Sequence, residues 1–211
     1  EKGIHSFLSE ISFNDLNHEI WSSITKRLIL PVDGKIGNER AESKFVEFEY
    51  NEQKPLKGIL NHLTEKSNGN IQNNKTIEIT CSYLCCGTLD TLVDFNDSSK
   101  RVHVGSRVNP YWLKYDFKSR KIQINSYFIV ARDDSSHHRY MNSWAVEISD
   151  DGNSWEKIDE RNNVSELNGQ NSKQIFNVKL TKPFRYIRII SDKNNHQDSN
   201  GFTLGNLEFY G

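Results

Sequence analysis

Nine consecutive positions, Arg132-Asp133-Asp134-Ser135-Ser136-His137-His138-Arg139-Tyr140, bring guanidinium, carboxylate, hydroxyl, imidazole and phenol groups together. Guanidiniums only donate hydrogen bonds, carboxylates only accept them, and hydroxyls and neutral imidazoles do both, so this run has the means to grip a polar ligand. Two further stretches carry similar groups. Residues 89–107 include Asp97, His103 and Arg107, and residues 192–202 include His196 and Phe202. The simpler account of each is a polar loop with its charges in water. Adjacent His137 and His138 do not suggest a metal site, because neighbouring side chains on extended chain point apart.

Catalysis finds no foothold. The chain has no Gly-x-Ser-x-Gly elbow, no phosphate-binding or dinucleotide glycine pattern and no His-Glu-x-x-His. The carboxylate pairs Asp133-Asp134 and Asp150-Asp151 have the composition of turns, where acidic side chains bond nearby backbone. Cys81, Cys85 and Cys86 cluster without a second Cys or His group at zinc spacing. They are expected to be small buried residues beside a strand, and neither metal nor cofactor is expected. The chain reads as a binding protein, not an enzyme.

The elements that must position these groups are short strands. In residues 143–163, Trp144, Val146 and Ile148 alternate with Ala145, Glu147 and Ser149, the period of a half-buried strand. Asp151-Gly152 lets the chain reverse, and Trp155 and Ile158 begin the return strand. Upstream, Ile122, Ile124, Phe128 and Val130 are expected on one face of a strand over residues 121–131. Downstream, Phe176, Val178 and Leu180 alternate with polar residues, and a β-branched and aromatic run follows Pro183. Ile77 and Ile79 open the series, and Leu207 and Phe209 close it. This spacing predicts a mainly β fold, a sandwich or jelly roll, with Trp144, Val146, Ile148, Phe128, Phe176, Ile187 and Leu207 in its core.

Residues 1–52 differ in kind. Leu16, Ile20, Ile24 and Leu28 recur every four residues, after Asn14 or Asp15 as a cap and before Pro31 and Gly34. A second, charged segment over residues 39–49 carries Phe45 and Phe48 and suits another short helix. The expected organisation is a short α-helical N-terminal segment over residues 1–52 and a β-domain over 53–211. Residues 53–55 read as a linker, and residues 56–64 run into a loop.

Ser143-Trp144 with Glu147, the Ser149-Asp150-Asp151-Gly152 turn, Trp155, the Phe184-Arg185-Tyr186-Ile187-Arg188-Ile189 strand and the closing Leu207-Glu208-Phe209-Tyr210-Gly211 resemble a discoidin domain. This is the coagulation factor 5/8 type C class, and the likeness spans roughly residues 55–211. It implies a galactose-binding-like jelly-roll β-sandwich, nearest to the version that follows BTB and BACK regions in protist proteins. It also implies that ligands sit among loops at one end of the sandwich. Glycan-binding relatives bond sugar hydroxyls with a His, an Arg and an Asn or carboxylate above an aromatic plate. The resemblance carries these roles onto His137 or His138, Arg132 or Arg139, and Phe202. The candidate binding residues are therefore Arg132, Asp133, His137, His138, Arg139, Asp97, His103, Arg107, His196 and Phe202.

Composition narrows the partners. A net charge of −1 over 211 residues supplies no field for nucleic acid or an anionic membrane. No apolar run approaches the ~20 residues that span a bilayer, and Phe202 is the one plausible apolar spike in the candidate loops. Secreted discoidin domains usually tie their ends with a disulfide. The odd, clustered cysteines depart from that pattern and fit a reducing cytoplasm. The sequons at Asn74, Asn96 and Asn163 are expected by chance in an Asn-rich chain. The reading that follows is a non-catalytic scaffold module binding protein partners in a cytoplasmic or cytoskeletal assembly. The alternative is a glycan-binding, lectin-like domain that uses the loops for carbohydrate. A third possibility is an accessory domain of an enzyme whose catalytic part lies elsewhere.

Overall fold

The computed structural model describes residues 46–95, 102–105, 107–133 and 139–211. The predicted helical stripe of residues 14–34 lies outside them. Among the described residues the elements run α1 (Ile59–Lys66), β1 (Glu78–Cys81), β2 (Leu84–Cys86), a single 3-10 turn (Leu89–Val93), β3 (Val102–Val104), β4 (Tyr111–Asp116) and β5 (Ser126–Val130). They continue with β6 (Trp144–Ser149), β7 (Glu156–Arg161), β8 (Lys173–Asn177), β9 (Tyr186–Ser191), β10 (Phe202–Leu204) and β11 (Asn206–Tyr210).

The strands form a five-stranded sheet in the order β1-β4-β9-β6-β7 and two three-stranded sheets, β11-β5-β8 and β10-β3-β2. Every pairing between these strands is antiparallel. The inner faces meet in one core. Tyr115 packs edge-on against Phe209 and Trp144 against Phe176, while Tyr111 meets Phe202 at a tilt, with ring centroids 5.7, 5.2 and 5.8 Å apart. This is the expected jelly-roll sandwich, and Trp144, Val146, Ile148, Ile187 and Leu207 are buried in it as the alternation predicts.

Some expectations need correction. Phe128 is buried, but on the outer side of β5, where it packs against Tyr50; the inward residues are Tyr127 and Ile129. Regular pairing begins only at Ser126, so the predicted stripe from Ile122 to Val130 does not keep one face. Leu180 follows the end of β8 and is exposed. Residues 56–64 do more than lead into a loop, since Ile59–Lys66 is helical.

That helix is anchored from far along the chain. Its first amides find no cap in their own segment. Instead the Glu208 carboxylate accepts from the amides of Leu60 (2.7 Å), Asn61 (2.9 Å) and Phe209 (2.9 Å). Gly58 permits the approach, because a Cβ there would lie 2.4 Å from the Phe209 carbonyl oxygen. The predicted helix over 39–49 is not seen in its described part. Phe48 is extended and exchanges two backbone hydrogen bonds of 3.0 Å with Gly211, and Tyr50 stacks near Phe128 and Tyr210. With α1 and this segment outside it, β11 is buried on both faces.

Candidate functional site

Antiparallel connectivity sends the connections β3–β4, β5–β6, β7–β8 and β9–β10 to one end of the sandwich. The described candidates fall in these connections or on strands β3 and β10 beside them. Val102-His103-Val104 shows how one of them is aimed: in a strand, alternate side chains face opposite ways. Val102 and Val104 enter the core, so His103 faces outward. Directly across the sheet, His103 is paired with Thr203 of β10 on one side and Cys86 of β2 on the other. Cross-strand partners share a face, so Thr203, His103 and Cys86 form one row.

The chain on either side of residues 134–138 is fastened to the neighbouring strands and loops. The Ala131 amide donates to the Ser172 carbonyl at 2.7 Å, and the Gly205 amide donates to the Val130 carbonyl at 2.9 Å. At the other end of the segment, the Arg139 carbonyl accepts from both the amide and hydroxyl of Thr203, at 2.9 and 3.0 Å. These bonds fix Arg132 and Arg139 as they leave and re-enter the sheets. Their side chains, with His103, Cys85 and Cys86, line a cavity of about 190 Å³. Drug-sized pockets run from about 300 to 1,000 Å³; this one is on the scale of a single small ring.

The two cysteines are the residues that sequence reading missed. Cys86 is exposed and Cys85 half-buried, so Cys86 is not the buried filler expected of it. Its one sequence signal was adjacency to a strand; its pairing with His103 is a matter of register. Nη1 of Arg132 donates to Cys86 Sγ at 3.8 Å, and the Cys85 thiol donates to the Gly105 carbonyl. Gly105 has φ +99°, and a Cβ there would meet the Gly201 Cα at 2.7 Å. Two loops therefore approach closely beside the cavity where only glycine fits.

The other candidates are placed elsewhere. The Asp133 carboxylate accepts from Gln170 (2.5 Å) and Asn171 (2.9 Å), which ties two loops together. Arg107 is exposed and stacks over Tyr83, 5.2 Å from the ring centroid. Nε2 of His196 donates to the Val164 carbonyl at 2.8 Å. Phe202, expected as an aromatic plate, is 2% exposed and belongs to the core. It cannot underlie a sugar. Asp97, His137 and His138 lie outside the described residues. No group of three His, Cys, Asp or Glu side chains able to hold a metal occurs among the described residues. A larger groove of about 460 Å³ at the same end, lined by Ser143, Glu160, Asn162, Asp192 and Lys193 among others, gathers mixed charges without a comparable convergence.

A family model described as the F5/8 type C domain matches residues 79–204, the span that holds both this fold and this cavity. The chain belongs to the F5/8 type C domain family. Solved structures agree on the fold. CpGH89CBM32-5 from Clostridium perfringens, in complex with GalNAc-β-1,3-galactose, is similar at a TM-score of 0.53 with 13% identity, over 65% of this chain and 96% of that one. CBM32-3 from a family 31 glycoside hydrolase of the same organism is similar at 0.53 with 16% identity, over 65% and 92%. No curated protein matches the chain. In F5/8 type C terms, β10-β3-β2 is the part of the sandwich on which this chain mounts its cavity.

Proposed function

We propose that this F5/8 type C domain is a carbohydrate-binding module, non-catalytic in itself, whose site is the cavity lined by Arg132, Arg139 and His103. One observation carries the reading. Side chains from a strand and from both ends of the β5–β6 connection converge on a single ring-sized depression at the loop end of the sandwich. Arg and His hydrogen bonds to ring substituents suit such a site. The C. perfringens structure of similar fold, which is in complex with GalNAc-β-1,3-galactose, supports the class of ligand. The scaffold reading drawn from composition has no side-chain cluster of this kind behind it, so the alternative is preferred.

The test is a glycan array followed by titration calorimetry of any hit, with wild type and Arg139→Ala side by side. Binding by the wild type that is lost in a variant of unchanged circular dichroism and melting temperature supports the site. A folded wild type that retains no glycan rejects the reading.

A further inference from the structure

We infer that the groove of about 460 Å³ at the loop end of the five-stranded sheet is a second carbohydrate site, one that takes an uncharged oligosaccharide lying across the strands. The inference rests on the carbohydrate-binding reading above and adds a site for a chain to the site for a single ring.

Strand register builds the groove. Trp144, Val146 and Ile189 face the core, so Ala145 and Ile190, which alternate with them, face outward. Ile190 of β9, Ala145 of β6 and Glu160 of β7 are cross-strand partners and form one outward row. Ala145 is the smallest side chain of the row, and the surface dips there between its two neighbours. Four strand ends make a lip beside the row. Asn109 stands before β4, Asp192 after β9, Ser143 before β6 and Asn162 after β7, in the order of the strands across the sheet. Neighbouring strands lie about 4.8 Å apart, so this lip runs for roughly 14 Å. Its polar groups stand in a line and do not converge on a point, a form that suits a chain of rings. At about 460 Å³ against about 190 Å³ for the cavity, the groove has room for roughly two rings.

The lining suits an uncharged sugar. Asn109 and Asn162 are exposed, and a primary amide both donates and accepts hydrogen bonds, as a sugar hydroxyl does. Ile190 and Ala145 are half-buried and offer an apolar floor to the C–H face of a ring. The charged side chains described there stand against opposite charges: Asp192 lies 3.6 Å from Lys193, and Glu160 lies 2.5 Å from Lys157. Such pairs set up no field of one sign for an ionic ligand. An extended peptide fits less well. β9 and β6 are each paired on both sides, so their N–H and C=O groups are used within the sheet, and a peptide strand adds to a sheet at an edge.

The experiment titrates the full 211-residue chain by calorimetry with methyl galactoside, methyl glucoside and methyl N-acetylglucosaminide, and with the matching uncharged trisaccharides galactotriose, cellotriose and triacetylchitotriose. Amide NMR shifts are recorded on the same samples. The expected result is that at least one trisaccharide binds about tenfold or more tightly than its methyl glycoside, a gain that persists in about 0.5 M NaCl. That trisaccharide should shift the amides of Ala145, Ile190 and Asn162. The gain should vanish in Ala145→Arg and in the double variant Asn109→Ala/Asn162→Ala, both at outward positions where circular dichroism should be unchanged. Methyl glycoside binding should be unaffected in these variants and lost in Arg139→Ala. A trisaccharide that binds no tighter than its methyl glycoside, or a gain that survives in both groove variants, overturns this inference and leaves the cavity reading standing. Trisaccharide binding that survives Arg139→Ala and is lost in the groove variants supports the groove and overturns the cavity as the site. Failure of every glycoside and trisaccharide to bind overturns both.

Discussion

Nη1 of Arg132 donates to Sγ of Cys86 across 3.8 Å, which couples the loop after β5 to the edge strand β2 at the mouth of the cavity. Arg132 is 8% exposed whereas the thiol reaches solvent. Cys86 is therefore a chemical handle on the site. Iodoacetamide is expected to modify Cys86 ahead of the half-buried Cys81 and Cys85, and to block the tightest-binding glycoside. That glycoside at saturation should protect the thiol, and Cys86→Ser should bind normally and resist the reagent. Peptide mass spectrometry with and without glycoside reads all of this, and equal modification in both samples contradicts the placement of the ligand.

Arg139 contributes to folding through its carbonyl and to the cavity through its side chain. Arg139→Ala should therefore change unfolding free energy by under about 1 kcal/mol. It should weaken ligand binding by roughly 1.5–3 kcal/mol, the range for a hydrogen bond to a charged group. Denaturant melts and calorimetry on the same sample separate the two effects. A large loss of stability makes the side chain structural.

Trp144 is 3% exposed, and its indole Nε1 donates to the Tyr127 hydroxyl at 3.0 Å. The Tyr127 hydroxyl donates onward to Asp159 at 2.6 Å, where Arg161 also bonds at 2.7 Å. Trp144→Ala should cost on the order of 3–5 kcal/mol of stability. Trp144→Phe keeps most of the packing and removes the first bond of the chain, so a loss of about 1 kcal/mol is expected. Phe202→Ala should likewise destabilise the fold by about 3–5 kcal/mol, the mark of a core residue and not of a sugar platform. A Phe202→Ala protein with wild-type stability and no binding would return Phe202 to the site.

Glu208 gives the fold a pH dependence. Complete burial pushes its carboxyl up from 4.5 to about 7, against the pull of the amides of Phe209, Leu60 and Asn61. A raised carboxyl means that the folded state holds the proton more tightly than the unfolded chain. The stability that follows is fully present below about 4.5 and is lost as pH rises through 7. The difference amounts to roughly 3 kcal/mol. Melting temperature should fall between pH 5 and 8 in wild type and flatten in Glu208→Gln. That variant should also be less stable at its best pH, because an amide NH₂ must face a backbone N–H. Parallel pH profiles in the two proteins remove Glu208 as the cause.

Much of the fold was legible because strands announce themselves locally. Trp144, Val146 and Ile148 alternate with polar neighbours, and the Asp151-Gly152 turn follows, with Gly152 at φ +77°. Phe128 shows the limit: it has the right residue type, but its face depends on where pairing starts. Among the site residues, His103, Arg132 and Arg139 were nameable as types able to bind. Their selection from the ten candidates was not legible, because Arg107, Asp133 and His196 are the same kinds of residue held by other partners.

By itself the sequence determined a mainly β domain of the F5/8 type C kind, since side-chain period, turn residues and aromatic positions are local properties that the backbone obeys at once. Only the tertiary structure decided which groups meet. His103 stands beside Cys86 because β2 pairs with β3. Arg139 hangs over both because β10, on the other side of β3, holds its carbonyl through Thr203. Those neighbours come from strand order and register, which depend on contacts between residues far apart in the chain, and no local pattern encodes them.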